Sequence, residues 1–406
     1  MTKTEYSTDT RAGRPMRLAR CLRVYPRRIG LAAGAGLALL AAVKLLTESQ
    51  TVADGIRSGL EVCATVVIPS LFPFMVLAGL LSLTELGDLL ARPLGPVCRY
   101  LFHLPSEAGS ALLMSFIGGY PVGAKTIAAL LAQGRIDERT ARKMLCFCIN
   151  AGPAFVIGTV GTALYSSVRV GAFLLAAHLL ASVLVGFFLS TGMEEAQLDP
   201  ARSLRLPLGT ALVRSVTGAA QSMLNICAFV VTFSAVGALL VHTGVLPRVC
   251  TFLVRRLPFR FGTAFYSALL GGMLEVTGGC ISAAALGGET SFVLTAFLLS
   301  FGGLSVLFQA ASAFERLPMS FGLLLFSRLA NACAAACIAC LLYRRFLADL
   351  PTALGYSQPV IYATPGSLLT ALCLIGMCSI VLLSAVINGI STKNSGNYGK
   401  SANKMV

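Results

Sequence analysis

Charged side chains are scarce in this sequence: they make up 12% of 406 residues, with 17 Asp and Glu against 32 Lys and Arg. With 56% hydrophobic residues and a mean hydropathy of +0.80, a soluble chain would lack the polar surface to cover itself, which argues against a soluble multidomain protein. Histidine is scarcer still. His103, His178 and His242 are dispersed, and no H-E-x-x-H or paired ligand spacing accompanies them, so metal-dependent hydrolysis has no foothold. A phosphate loop is missing too. In GGYPVGAKT (118–126) Ala124 separates Gly123 from Lys125 where nucleotide binding needs adjacency, and no hydrophilic strand precedes it. The expectation is a protein that is not an enzyme, with no metal and no cofactor.

Cysteine is plentiful, but a disulfide framework is not what it builds. The thirteen cysteines are scattered, mostly within apolar runs. Cys333, Cys337 and Cys340 form C-x3-C-x2-C inside NACAAACIAC, a small-residue helical run read here as close helix packing rather than metal binding.

The net charge of +15 sits mostly at the ends. Residues 1–30 carry eight Lys/Arg against Glu5 and Asp9, and the tail from 389 carries Lys393, Lys400 and Lys404 with no acid, so the two ends hold +9 of the +15. Basic flanks of apolar spans mark the cytoplasmic side, which places both termini inside. With no folded basic domain left to present those charges, nucleic acid is not an expected partner; the expected partner is the lipid bilayer.

Apolar runs fall near 31–47, 61–83, 109–132, 144–165, 170–191, 222–243, 263–286, 288–313, 321–343 and 366–388. Each is close to the roughly 20 residues that span hydrocarbon about 30 Å thick. The first reads as an uncleaved span, because the preceding segment is long for a signal peptide and no small-residue cleavage site follows. Segment 84–106, with Glu85, Asp88, Arg92 and Arg99 among leucines, reads as an amphipathic helix on the membrane surface. The hydrophilic stretch 192–208 divides the chain into halves.

Those halves resemble each other. FPFMVLAGLL (72–81), ALLMSFIGGYPVGAK (111–125) and NAGPAFVIG (150–158) recur in order as AFVVTFSAVGALL (228–240), SALLGGMLEVTGG (267–279) and SFGGLSVLFQ (300–309). Gly118 falls on Gly271 and Gly152 on Gly303 at nearly equal offsets. Both glycine-rich centres interrupt a helix. In Gly118-Gly119-Tyr120-Pro121, proline removes a donor and glycine relaxes the helix, leaving unpaired peptide groups that survive at membrane depth only beside protein or a polar cavity. Matching interruptions in two halves point to a transporter site, where half-helix N-termini offer positive dipole ends to an anion.

Residues 133–143 are basic on balance, so 109–132 reads as a hairpin entering and leaving on the cytoplasmic side. That leaves three full crossings in the first repeat, and an odd number inverts the second. The expected fold is an all-α polytopic membrane protein with about eight full transmembrane helices, two re-entrant helical hairpins and two gate-type repeats of inverted topology. Its expected divisions are 1–30, a basic cytoplasmic N-terminus; 31–54, the first transmembrane helix; 55–191, the first gate repeat; and 192–208, a hydrophilic linker. Then come 209–346, the second gate repeat; 347–388, a connector and last transmembrane helix; and 389–406, the cytoplasmic tail. Arg248, Arg255, Arg256 and Arg260 fall outside in this topology, against the usual bias, and are read as interfacial anchors.

GGYPVGAK followed by FCINAGPAFVIGTVG (147–161) resembles the signature of bacterial sporulation integral membrane proteins with paired nucleoside-recognition gate domains, the stage V dipicolinic acid transporter type. That family is in turn similar to concentrative nucleoside transporters. The likeness covers roughly 55–350, and EVTGG in the second half is its shorter match. The resemblance implies a carrier fold with two hairpins meeting near the midplane, dipicolinic acid as cargo, and residence in the outer forespore membrane of a sporulating bacterial cell.

Candidate site residues follow from polarity inside apolar runs. Lys125, four residues beyond Pro121, costs about 2.5–3.5 kcal/mol to insert on translocon scales and so reads either as a carboxylate-binding cation or as a lysine snorkelling to the interface. Glu275, the one acid in mid-run, pairs with Lys125, binds a coupling ion (Na+ or H+), or simply locks the hairpins; Thr277 beside it offers a hydroxyl. Gly119, Tyr120 and Pro121 form the first break, and Asn150 with Pro153 forms another, matched by Gln309 after Gly302-Gly303. Arg328 and Asn331 share a face of 321–343, where a guanidinium fork suits a carboxylate or anchors at the interface. These readings converge on a secondary carrier of a small anionic or nucleoside-like solute, working by alternating access. The competing reading is a non-transporting membrane scaffold for spore envelope assembly, and either allows a homo-oligomer.

Overall fold

The computed structural model describes residues 36, 39, 42–190, 206–258, 261–312, 314 and 321–347. The chain divides into two units, Met1–Ala53 and Asp54–Val406. In the smaller unit the described residues are helical apart from a turn at Glu48, with Lys44 and Glu48 paired at 3.5 Å. The expected span 366–388, the termini and most of the 192–208 linker lie outside the described residues.

All regular structure among the described residues is helical, in fifteen helices, five of them long and apolar enough to cross a membrane. The chain is a multi-pass membrane protein. Large apolar side chains such as Phe74, Phe188, Val213, Phe326 and Leu341 are exposed, as lipid-facing residues must be.

The larger unit runs through the same succession twice. First come α1 (Ser49–Leu83), which begins in the smaller unit, then the short helices α2 (Glu85–Ala91) and α3 (Leu94–Phe102). A pair follows, α4 (Ala108–Gly118) and α5 (Tyr120–Ala132), then a second pair, α6 (Glu138–Phe147) and α7 (Ala154–Leu164), and finally α8 (Val168–Ser190). In the second pass α9 (Leu208–His242) leads to the short α10 (Val245–Arg256), then α11 (Thr263–Leu274) with α12 (Val276–Ala284), α13 (Gly288–Phe301) with α14 (Gly303–Ser312), and α15 (Phe321–Leu347).

α1 and α9, each 35 residues long, pack antiparallel. A Cβ on Gly59 would lie 3.1 Å from Ser234 Cβ, a Cβ on Gly55 would lie 2.9 Å from Ala238 Cβ, and one on Gly79 would lie 3.2 Å from Ser215 Cβ. Small residues on both faces permit this approach. At the crossing α1 widens into a π-helical turn, Cys63–Val67, and Cys63 Sγ reaches Cys227 O at 3.9 Å. The apolar run at 222–243 thus extends back by nearly four turns to Leu208, because Arg214 is carried within a helix whose neighbouring residues are apolar or small. The antiparallel pairing has a direct check. Gly59→Cys combined with Ser234→Cys should cross-link two halves separated by a protease site placed in the 192–205 connector, since their Cβ atoms need to move apart only a few tenths of an ångström to reach disulfide spacing. Gly59→Cys with Gly218→Cys, the pair that a parallel arrangement would bring together, should stay unlinked; the reverse pattern would overturn the pairing.

The pairs α4–α5 and α11–α12 are hairpins. In the first, Gly123 packs on Ser115; in the second, Gly272 and Gly279 face each other backbone to backbone. α6–α7 and α13–α14 are instead single helices interrupted midway, each lying along an antiparallel return helix. α8 packs Gly171 on Gly161 and Ser182 on Phe147, and α15 brings Arg344 to Glu289 at 2.7 Å. On α15 the inward positions are Ala332, Ala335 and Ala339, whereas Cys333 and Cys337 are exposed. The expectation that these cysteines mediate close packing is therefore corrected: the alanines do so, being on the opposite helical face.

Candidate functional site

Four chain interruptions mark the centre of the larger unit. α4 ends at Gly119, held at φ 83°, a left-handed conformation that glycine adopts without a Cβ penalty. Pro121 is not itself the breaker. It occupies the first turn of α5, where its missing N–H would have no helical acceptor anyway; its side chain is outside the described set. The second interruption is the loop through Asn150–Gly152 that separates α6 from α7, the third is Glu275 in extended conformation, and the fourth is Gly302-Gly303. The second break, expected in the glycine-rich centre 267–279, falls within it at Glu275, while Gly272 is the hairpin contact.

The interruptions meet. A Cβ on Gly119 would lie 3.3 Å from Gly152 N, and one on Gly303 would lie 3.2 Å from both Leu274 O and Val276 N, so each hairpin tip rests on the broken helix of its own half. Between them lies a chamber of about 40 Å³, room for a few water molecules. Its walls come from both hairpin tips (Gly118, Gly119, Tyr120; Glu275, Val276, Thr277), from both broken helices (Gly152, Phe155; Ser305, Val306, Gln309) and from the middles of α1 and α9 (Val67, Leu71, Met75; Ile226, Val230).

The electrostatics follow from which ends point inward. α5, α7, α12 and α14 all begin at this chamber, and each helix start carries roughly half a positive charge. Glu275 is the one acid among the lining residues. It is 7% exposed, and its carboxylate accepts from Thr277 N at 2.8 Å and Gly278 N at 2.7 Å, capping α12. The starts of α5 and α7 have no side-chain cap. The uncapped helix N-termini of α5 and α7 favour oxygen-rich, negatively charged groups, while the Glu275 carboxylate already fills that role at the start of α12.

Of the sequence-selected residues, Gly119, Tyr120, Glu275, Thr277 and Gln309 line the chamber, and Pro121 and Pro153 belong to the first turns around it. Tyr120 has its hydroxyl committed to Leu299 O at 2.6 Å, which ties the first hairpin to the second broken helix. Asn150 is buried behind the chamber, its amide nitrogen donating to Ser115 Oγ at 2.8 Å and Phe147 O at 2.9 Å. Arg328 and Asn331 are also buried behind it. Arg328 donates to Ser300 O at the C-terminal end of α13, where a cation offsets the negative end of a severed helix; its Nε and Nη1 have no partner, nor do the side-chain atoms of Asn331. Lys125 is not at the chamber. It reaches Ser222 Oγ on α9 from the outer side of α5, so the expected Lys125–Glu275 pair does not form.

Two residues escaped the sequence reading. Ser305 lies one turn before Gln309 on the same face, a spacing that would have found it. His178 was set aside as dispersed, yet it accepts from Ala151 N at 2.9 Å and bonds Ser300 Oγ at 2.7 Å, bridging the interruptions of both halves. No local motif marks it, since its partners are far away in the chain.

Comparison with known proteins bears on the same region. Residues 64–191, from the middle of α1 through α8, match the protein-family profile described as "Gate: Nucleoside recognition". The chain is similar to the sporulation integral membrane protein YlbJ of Bacillus subtilis (strain 168), at 28% identity over 324 residues, covering 74% of this chain and 79% of that protein. No solved structure matches.

Proposed function

We propose that this protein is a secondary carrier that moves a small anionic solute across the membrane by alternating access of its two hairpins around the Glu275 chamber. The observation that carries the reading is the convergence of four half-helix starts on one small chamber that holds the Glu275 carboxylate. Unpaired peptide ends at membrane depth are tolerated where they face a cavity, and discontinuous helices meeting across a repeat are the usual architecture of a carrier site. The antiparallel α1 and α9 support inverted repeats; the proposed topology adds about eight spans, re-entrant hairpins and both termini cytoplasmic. The chamber as it stands has room for water but not for an organic solute, so binding one requires the hairpins to part.

The cargo we favour is dipicolinic acid, whose two carboxylates suit two helix starts, and the setting we favour is the outer forespore membrane; the similarity to a sporulation membrane protein supports that setting. Neither the chamber nor the vicinity of its hairpins offers a nucleotide-hydrolysing motif, so Na+ or H+ coupling, with Glu275 as the responsive group, or downhill flux drives the cycle. Reconstituted in proteoliposomes, the protein should take up labelled dipicolinate saturably above empty vesicles, with a nucleoside as comparison. Flux of neither solute above the empty-vesicle level, with protein inserted at normal density, would favour the scaffold reading instead.

A further inference from the structure

A second and larger cavity, about 280 Å³, lies on the other side of the first hairpin, between α5, α1 and α9. Its lining contains three cations, Lys125, Arg135 and Arg214, and no Asp or Glu. Arg135 and Arg214 belong to the rim, where α5 ends and α9 begins, while Lys125 lies about two helical turns farther in. Lys125 donates to the Ser222 hydroxyl, the Arg135 Nε is buried without a partner, and none of the three has a carboxylate partner among the described residues. Met75 lines both this cavity and the chamber and so forms the wall between them.

Lys125 and Arg214 are exposed and Arg135 is half-buried, so three cations without counter-charge face one partly apolar cavity and together attract an anion into it. The only hydrogen-bonding company the lining offers is hydroxyl and amide, from residues such as Ser222 and Gln133, which can share an oxyanion but cannot neutralise the cations. We propose that this cavity is an anion-binding antechamber, in which Lys125 holds a carboxylate or phosphate group after capture at the Arg135–Arg214 rim and before passage behind Met75. This rests on the carrier reading and deepens it: the solute class is a small anion with at least two charged or polar oxygens, and Lys125 acts at entry rather than at the central site. The same chemistry could be presented by a dicarboxylate solute or by the phosphate of an anionic lipid headgroup.

The test is equilibrium binding to the purified full-length protein with labelled phthalate as the dicarboxylate probe, together with native mass spectrometry of protein from nanodiscs containing phosphatidylglycerol. Lys125→Gln should weaken the binding of whichever probe occupies the cavity by about tenfold, Lys125→Arg should retain it, and Arg214→Gln should cost about threefold, as expected for charge-assisted contacts at depth and at a rim. Phthalate binding sensitive to Lys125 identifies the solute as occupant; retained phosphatidylglycerol sensitive to Lys125 identifies lipid. Absence of both, or binding of both unchanged in Lys125→Gln protein of wild-type thermal stability, overturns the antechamber. Glu275→Gln separates this from the carrier reading, since it should lower flux about tenfold or more and keep Lys125-dependent binding; a wild-type protein that binds but never transports would sink the carrier and leave the antechamber standing.

Discussion

Replacing Glu275 by Gln is expected to lower solute flux by on the order of tenfold to thirtyfold at unchanged protein abundance, the loss that removing one charged hydrogen-bonding partner of ~1.5–2 kcal/mol produces. Glutamine keeps the shape and one acceptor oxygen for Thr277 N and Gly278 N, so the α12 cap is weakened but not lost. What disappears is the single negative charge lining a chamber into which several positive helix ends open. In the proposed carrier cycle that charge balances the chamber when an anionic solute leaves. Glu275→Ala removes the cap as well, at about 1–2 kcal/mol of stability, and should lower both flux and thermal stability. Glu275→Asn, which caps without charge, discriminates the two roles. If it transports like the wild type, Glu275 is only a structural cap and the coupling role fails.

How far the sequence discloses this arrangement depends on the scale of the question. The membrane class is legible because the solvent dictates composition: apolar runs separated by charge have no other reading. Glu275 is legible because an acid in mid-run is costly and therefore has a purpose. The breaks are legible to within a turn. Which glycine turns the chain and which merely admits a neighbour is not, since Gly119 and Gly272 look alike in one dimension and differ only in what lies across from them. Lys125 was misplaced for a related reason. Five residues separate it from Tyr120, a rotation that leaves the two roughly 140° apart on an ideal helix, so both cannot face the chamber once α5 is continuous. Arg328 and Asn331 do share a face, as their spacing requires, but that face turns to the severed end of α13, a partner no local pattern announces.

The hairpins make the severest demand on sequence, and the second yields the largest expected effect on folding. Gly272 and Gly279 bring α11 and α12 together at backbone contact, with the Leu298 side chain closing over them. A Cβ on Gly279 would overlap the Gly272 backbone, where nothing flexible can yield, and it would lie 3.3 Å from Leu298 Cδ1. Gly279→Val is therefore expected to separate the hairpin arms, break the contact of Glu275 with the start of α12 and expose peptide groups to hydrocarbon. The cost is at least about 4 kcal/mol, enough to remove the folded protein. The measurement is the monodisperse fraction and melting temperature of detergent-solubilised protein. Gly271→Ala is the matched control: it is the neighbour of Gly272 on the same helix, but a Cβ there meets nothing within 4 Å, so its expected effect is confined to a slight gain in helix propensity. Wild-type folding of Gly279→Val would mean that the arms do not pack at this glycine pair, and the chamber they close would have to be drawn differently.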